Sequence, residues 1–175
     1  GAGARAARRV AAAALGGEWP ARLAAPGGLY IPQNYDRQFK GWVSVRTALA
    51  ASLNVPAVRT LVMVSPDAFF RQLQALGLPL HESAGYYGYS LALGSSETPL
   101  LQLTNAYRAL ANGGRHSPVA PLLRAERPAR PAFTRALDEG AAWIVGDILA
   151  DPLARARTFG TDSVLATRTW SAVKT

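Results

Sequence analysis

"AASLNVPAV", residues 50–58, places a serine, an asparagine and a proline within five positions, between two apolar runs that favour helices. Read locally, one helix stops here and another starts. Ser44 caps a short helix over 45–51, Ser52 finishes it, and Asn54 caps a second over 55–64, with Pro56 tolerated in its first turn. Such a tight turn lets Ser52 and Asn54 project outward while Leu53 faces inward. A serine hydroxyl both gives and accepts protons, and an asparagine amide offers a donor and an acceptor. The pair can therefore relay a proton and hold a peptide-like backbone, or simply end one helix and begin the next.

Working outward, Ser65-Pro66-Asp67 repeats the start signal as cap, first-turn proline and acid at the positive dipole end. Phe69, Phe70, Leu73 and Leu76 follow at helical spacing until Gly77. "ETPLLQLTNAYRALANGG" (97–114) predicts a further helix, capped by Thr98 and opened by Pro99, with Leu100, Leu103, Tyr107 and Leu110 on a core-facing side. Residues 117–133 suggest a brief strand pair or loop, and "DEGAAWIVGDILA" (138–150) a buried helix ending at Asp151-Pro152. "PGGLYIPQNYDRQFKGW" (26–42) is turn-rich and aperiodic and reads as an ordered loop. The first 25 residues, dominated by alanine, glycine and arginine, read as a poorly packed and poorly ordered segment, with an apolar stretch too short for a signal core.

Composition bounds the function. Nearly half of the 175 residues are hydrophobic and 17% are charged, the balance of a folded domain. The net charge of +8 is almost all arginine, since Lys40 and Lys174 are the only lysines. Those arginines are scattered singly, without a dense basic run beside aromatics, which argues against nucleic acid as a partner. With no cysteine and 2 histidines there is no disulfide framework and no zinc-ligand pattern. No apolar run is long enough to cross a bilayer.

"ATRTWSAVKT" (166–175) alternates with period two and predicts a strand. At a strand edge beside a cleft, the Lys174 ammonium can raise the local positive potential while the Thr175 hydroxyl binds a carboxylate. Alone, the dipeptide reads as a solvated lysine at an exposed edge. Ser171 and Lys174 also match S-x-x-K, a nucleophile one helical turn before its base, but a strand-like alternation cannot bring i and i+3 together. Ser171 is therefore rejected as a nucleophile.

Three blocks in order, "LYIPQNYDRQFKGWVSVRTALAASLNVPAVRTLV", "LALGSSETPLLQLTNAYRALANGG" and "DILADPLARARTFGTDSVLATRTWSAVKT", make residues 26–175 resemble the transpeptidase domain of class A penicillin-binding proteins, particularly the 1C branch. The resemblance implies an α/β (α+β) fold of the penicillin-binding protein transpeptidase and serine β-lactamase type. Of that fold this chain would hold the helical region with the S-x-N turn, plus one or two strands of the antiparallel sheet. Residues 1–25 fall outside the match.

That family uses S-x-x-K, S-x-N and K-T-G. Here Ser52-Leu53-Asn54 matches the second, and Lys174-Thr175 the third without its glycine. The first is not found where the family has it and is expected upstream of Gly1 or within the non-matching stretch. The resemblance therefore implies a fragment, inactive alone, of a D,D-transpeptidase. In the parent, Ser52 shuttles a proton, Asn54 binds the substrate amide, and Thr175 grips a carboxylate that Lys174 attracts. Implied partners are peptidoglycan stem peptides ending in D-Ala-D-Ala, β-lactams and other cell-wall synthesis proteins. The parent is also implied to carry a glycosyltransferase domain and a membrane anchor, with the transpeptidase on the periplasmic face of the cytoplasmic membrane. No metal or organic cofactor is implied. A non-catalytic peptidoglycan or β-lactam sensor and a serine β-lactamase are the alternative readings.

Overall fold

The computed structural model describes residues 17–18, 20–25, 28–119, 132–169 and 171–174. Helices carry the described fold. They are α1 (Val45–Ala50), α2 (Asn54–Val64), α3 (Pro66–Ala75), α4 (Ala84–Tyr87), a 3₁₀ turn (Gly88–Leu93), α5 (Leu100–Ala111), α6 (Glu139–Ala150) and α7 (Pro152–Phe159). Three short antiparallel ladders decorate them: β1 (Gly17–Glu18) with β4 (Gly41–Trp42), β2 (Leu23–Ala25) with β3 (Gly28–Tyr30), and β5 (Arg115–His116) with β6 (Thr134–Arg135). No described helix is long and apolar enough to cross a membrane.

Local chemistry explains most helix starts. Ser44 Oγ accepts from Thr47 N, and Ser65 Oγ from Ala68 N with Pro66 and Asp67 following, as their sequences predict. Asp138 caps α6, and Asp151 caps α7 through Leu153 N and Ala154 N. That last helix escaped the sequence reading, because Asp151-Pro152 signals both a stop and a fresh start. The bond from Ala154 N and the Arg46 guanidinium both hold the Asp151 carboxyl below the usual carboxylate range.

Several expectations are corrected. Leu53, not Asn54, is the N-cap of α2, and Pro99 rather than Thr98 that of α5; neither makes a side-chain cap bond. The stretch 26–42 is not all loop, since β3 and β4 lie within it. Two strands, β1 and β2, also fall within residues 1–25, the stretch expected to be poorly ordered. Beyond His116 the strand pair closes on Thr134, while residues 120–131 of the expected loop lie outside the described residues. The described residues of 166–174 form no strand. Alternation suits a strand only where a neighbouring edge supplies ladder bonds; here Val173 N instead donates to Leu149 O of α6 at 3.0 Å.

The helix faces also differ from expectation. On α5 the buried residues are Asn105, Ala106 and Ala109, whereas Leu100 is 78% exposed and Leu103 and Tyr107 are also open. The small pair lets α5 pack closely on α6, which leaves the bulky ridge outside. Helix α6, expected to be buried, hides Ala142, Ile148 and Leu149 but exposes Trp143 and Ile144. Beneath the turn at 51–53, Val43, Ala51 and Leu53 form a small core cluster with Ala48 packed against it. Val55, Val58 and Leu61 of α2 are buried as well, with Leu91 of the 3₁₀ turn.

The Asn112-Gly113-Gly114 stop has a steric reason. Gly114 takes φ +83°, and its carbonyl accepts from Ala136 N and Leu137 N at 2.9 Å each. A Cβ there would lie 2.4 Å from Leu137 O. Gly114→Ala is therefore expected to destabilise the fold by roughly 2 kcal/mol or more, because positive φ and a backbone clash add. Chemical denaturation measures it, and an unchanged midpoint would contradict the packing described.

Candidate active site

The turn carrying Ser52 is a Schellman motif. Leu53 N donates to Ala48 O at 3.0 Å and Ser52 N to Leu49 O at 3.2 Å, with Ser52 left-handed at φ +58°. Glycine is the usual occupant of that position. A serine there carries roughly 1 kcal/mol of backbone strain, a pattern associated with functional residues. The geometry swings the Ser52 side chain out of the helix pair.

Lys174 meets it there. Its Nζ donates to Ser52 Oγ at 2.5 Å, across 122 positions of sequence. The lysine arrives because Val173 N is anchored on Leu149 O, to which the buried Arg155 also donates through Nη1 at 2.5 Å. The Ser52 side is anchored on the same helix end. Arg46 of α1 bonds Asp147 Oδ2, and also Asp151 Oδ2 at 3.0 Å. These bonds are exposed and add little stability of their own, but they set where α1 sits relative to α6. Although Lys174 is exposed as a residue, partial desolvation of its amine lowers its pKa.

Asn54 opens α2. Its Nδ2 donates to Gln33 O at 2.9 Å, so its amide plane is fixed from outside the turn. Thr175, the remaining residue expected at the site, lies outside the described residues. Ser171 bonds Thr167 Oγ1 at 2.7 Å, in a segment with no helical spacing that could serve as S-x-x-K.

Beside Lys174 a pocket of about 430 Å³ opens between the outward ridge of α5 and the 172–174 segment. Leu100, Leu103, Thr104 and Tyr107 form one wall and Ala172, Val173 and Lys174 the other. Ser52 and Asn54 do not line it; Ser52 joins its rim through the lysine bond. Partial burial pushes the Tyr107 phenol up. Sequence reasoning placed Leu103 and Tyr107 in the core and overlooked Arg46 and Asn34. Helical periodicity marks an apolar face without saying whether it meets a core or a cleft.

No protein-family model matches the chain. In fold, it is similar to penicillin-binding proteins. It superposes on penicillin-binding protein 1A from Haemophilus influenzae with a TM-score of 0.63 at 20% identity, covering 86% of this chain and 29% of that one. Penicillin-binding protein 3 from Mycobacterium tuberculosis, solved with ampicillin, gives a TM-score of 0.57 at 22% identity, over 85% and 41%. The described helices and small ladders are thus part of an α/β penicillin-binding fold. In sequence, the chain is 39% identical over 130 residues to penicillin-binding protein 1C of Escherichia coli K12, which is 71% of this chain and 16% of that protein. It is 34% identical over 125 residues to penicillin-binding protein 1B of Vibrio cholerae, covering 67% of this chain and again 16% of the relative. The chain is a homologue of the class A penicillin-binding proteins, 1C-like as the three blocks suggest, and it spans about one sixth of those relatives' length.

Strain and bond at Ser52 oppose each other. Ser52→Gly is expected to raise stability by roughly 0.5–1 kcal/mol, and by roughly 1–2 kcal/mol when Lys174→Ala has already removed the bond. Urea denaturation of the four proteins in this cycle decides it. A loss of stability on Ser52→Gly in both backgrounds would rule out the strained turn.

Proposed function

We propose that this chain forms part of a serine-type D-Ala-D-Ala transpeptidase that cross-links peptidoglycan stem peptides through an acyl-enzyme and binds β-lactams at the same place. The bond of Lys174 Nζ to Ser52 Oγ carries the reading, because it joins the two motif remnants that sequence leaves 122 positions apart. The chain's similarity to penicillin-binding proteins 1C and 1B points the same way.

The residues suit the chemistry. Ser52 accepts from the Lys174 ammonium and so keeps its own O–H to give. As the D-alanine nitrogen leaves, that proton passes to it and the ammonium replaces it, a transfer eased by the lowered lysine pKa. Asn54 holds the stem peptide's amide, and Thr175 grips the carboxylate that Lys174 attracts. The nucleophile belongs to an S-x-x-K ahead of S-x-N; in residues 26–175 that string occurs just at Ser171–Lys174, after it and without helical spacing. Alone, these 175 residues therefore bind ligand without being acylated, since losing a serine nucleophile removes nearly all rate enhancement. The whole protein would join this activity to a glycosyltransferase, anchored at the periplasmic face of the cytoplasmic membrane among other cell-wall synthesis proteins.

Benzylpenicillin, whose carboxylate stays ionised throughout, tests this with the 175-residue chain. Reversible binding is expected by titration, with no adduct by mass spectrometry, and Lys174→Ala should weaken it by about tenfold. Affinity should fall as pH rises through the lysine's pKa, which lies below its ordinary 10.5. In that window the fold sheds a proton it holds less tightly than the unfolded chain does, so stability rises slightly while affinity drops. No binding at all, or binding indifferent to both Lys174 and pH, would sink the assignment. A covalent adduct would refute the inactivity of the chain, and antibiotic turnover would favour a β-lactamase.

A further inference from the structure

We propose that Asn34 is a positioning residue for the Ser52-Leu53-Asn54 turn, a role that rests on reading this turn as part of a transpeptidase site. Helix α2 lacks a cap of its own, because Leu53 at its N-cap has no side-chain acceptor. The acceptor comes from twenty residues upstream. Asn34 Oδ1 takes Asn54 N at 3.0 Å and Val55 N at 3.3 Å, satisfying the first two orphan donors of the helix. Asn34 is 6% exposed, so these bonds are sheltered from competing water.

The same residue is tied into its own loop. Asn34 Nδ2 donates to Gln38 O at 2.9 Å, and its carbonyl accepts from Arg37 N at 3.0 Å. Asp36 Oδ1 accepts from Gln38 N at 3.0 Å, and the Asp36 carboxylate pairs with Lys40. Beside it, Gln33 O takes the Asn54 Nδ2 donor. Two consecutive residues therefore set both the backbone start of α2 and the amide plane of Asn54. With its nitrogen engaged by Gln33, the planar amide turns Oδ1 away from the loop, as an acceptor for a peptide N–H.

Only a short side chain with both an acceptor and a donor does this. Aspartate would keep the cap, and would suit the positive end of α2, but it would face Gln38 O without a proton to give. Alanine would leave two helix N–H groups unsatisfied.

The test uses Asn34→Ala and Asn34→Asp in the 175-residue chain, with two readouts. The first needs no ligand: NMR hydrogen exchange at the Asn54 and Val55 amides and at the Asn54 side-chain amide. Exchange at all three is expected to quicken at least tenfold in Asn34→Ala, and at the two backbone amides to return to within about threefold of wild type in Asn34→Asp. The second is benzylpenicillin affinity, expected to fall about tenfold in Asn34→Ala and to be partly restored in Asn34→Asp, which keeps the backbone cap but loosens the Asn54 amide. Gly114→Ala, destabilised elsewhere, is expected to keep wild-type affinity, which separates positioning from general loss of stability. Unchanged exchange in Asn34→Ala overturns the proposal. So does a wild type that binds benzylpenicillin as tightly as Asn34→Ala. Should the wild type not bind at all, the transpeptidase reading falls, and the exchange data still decide whether Asn34 holds the turn. If Asn34→Ala does not fold, the proposal stands or falls on Asn34→Asp, which must keep the backbone protection yet speed exchange at the Asn54 side chain.

Discussion

The carbonyl oxygen of Leu149, at the last turn of α6, accepts from two donors, and the site depends on both. One is the Arg155 guanidinium, buried to 6% exposure; a charge so placed must be hydrogen-bonded, and the negative end of a helix dipole suits it. The other is Val173 N, which brings the chain back across the helix end and delivers Lys174 to Ser52. Arg46 grips Asp147 and Asp151 around the same point. Both halves of the candidate site are thus registered to one helix terminus, although neither is close to the other in sequence.

The turn itself is held against its own preference. A Schellman ending wants glycine where Ser52 stands, and a helix start wants a polar cap where Leu53 stands. Asn34 meets the second need from outside, worth about 1 kcal/mol by the usual scale of caps. The first is left as strain. A hydroxyl stands there instead and meets the lysine, over a buried cluster of Val43, Ala51 and Leu53.

Helix α5 shows how far a sequence pattern reaches. Its spacing of Leu100, Leu103 and Tyr107 correctly marks a helix with an apolar side. Yet the side packed inward is the one with Asn105, Ala106 and Ala109. Asn105 Nδ2 is committed to Ser117 O and His116 Nε2, polar partners that lie beyond the helix and leave no trace in its periodicity. The leucine ridge then becomes a pocket wall facing Lys174. The terminal segment was misread for a related reason: alternation records which residues could suit a strand, whereas a strand exists only where another edge pairs with it.

Sequence by itself determined the helices whose caps are local, those beginning at Ser44 and Ser65, together with the likeness to penicillin-binding proteins. These rest on short-range chemistry, a hydroxyl three residues from an N–H or a proline at a first turn, and on residues that match in order. Tertiary structure alone decided which acceptor caps α2, which face of α5 looks outward, and that Lys174 lies within reach of Ser52. Each is a contact between residues distant in the chain, and a one-dimensional pattern cannot carry the partner that makes it.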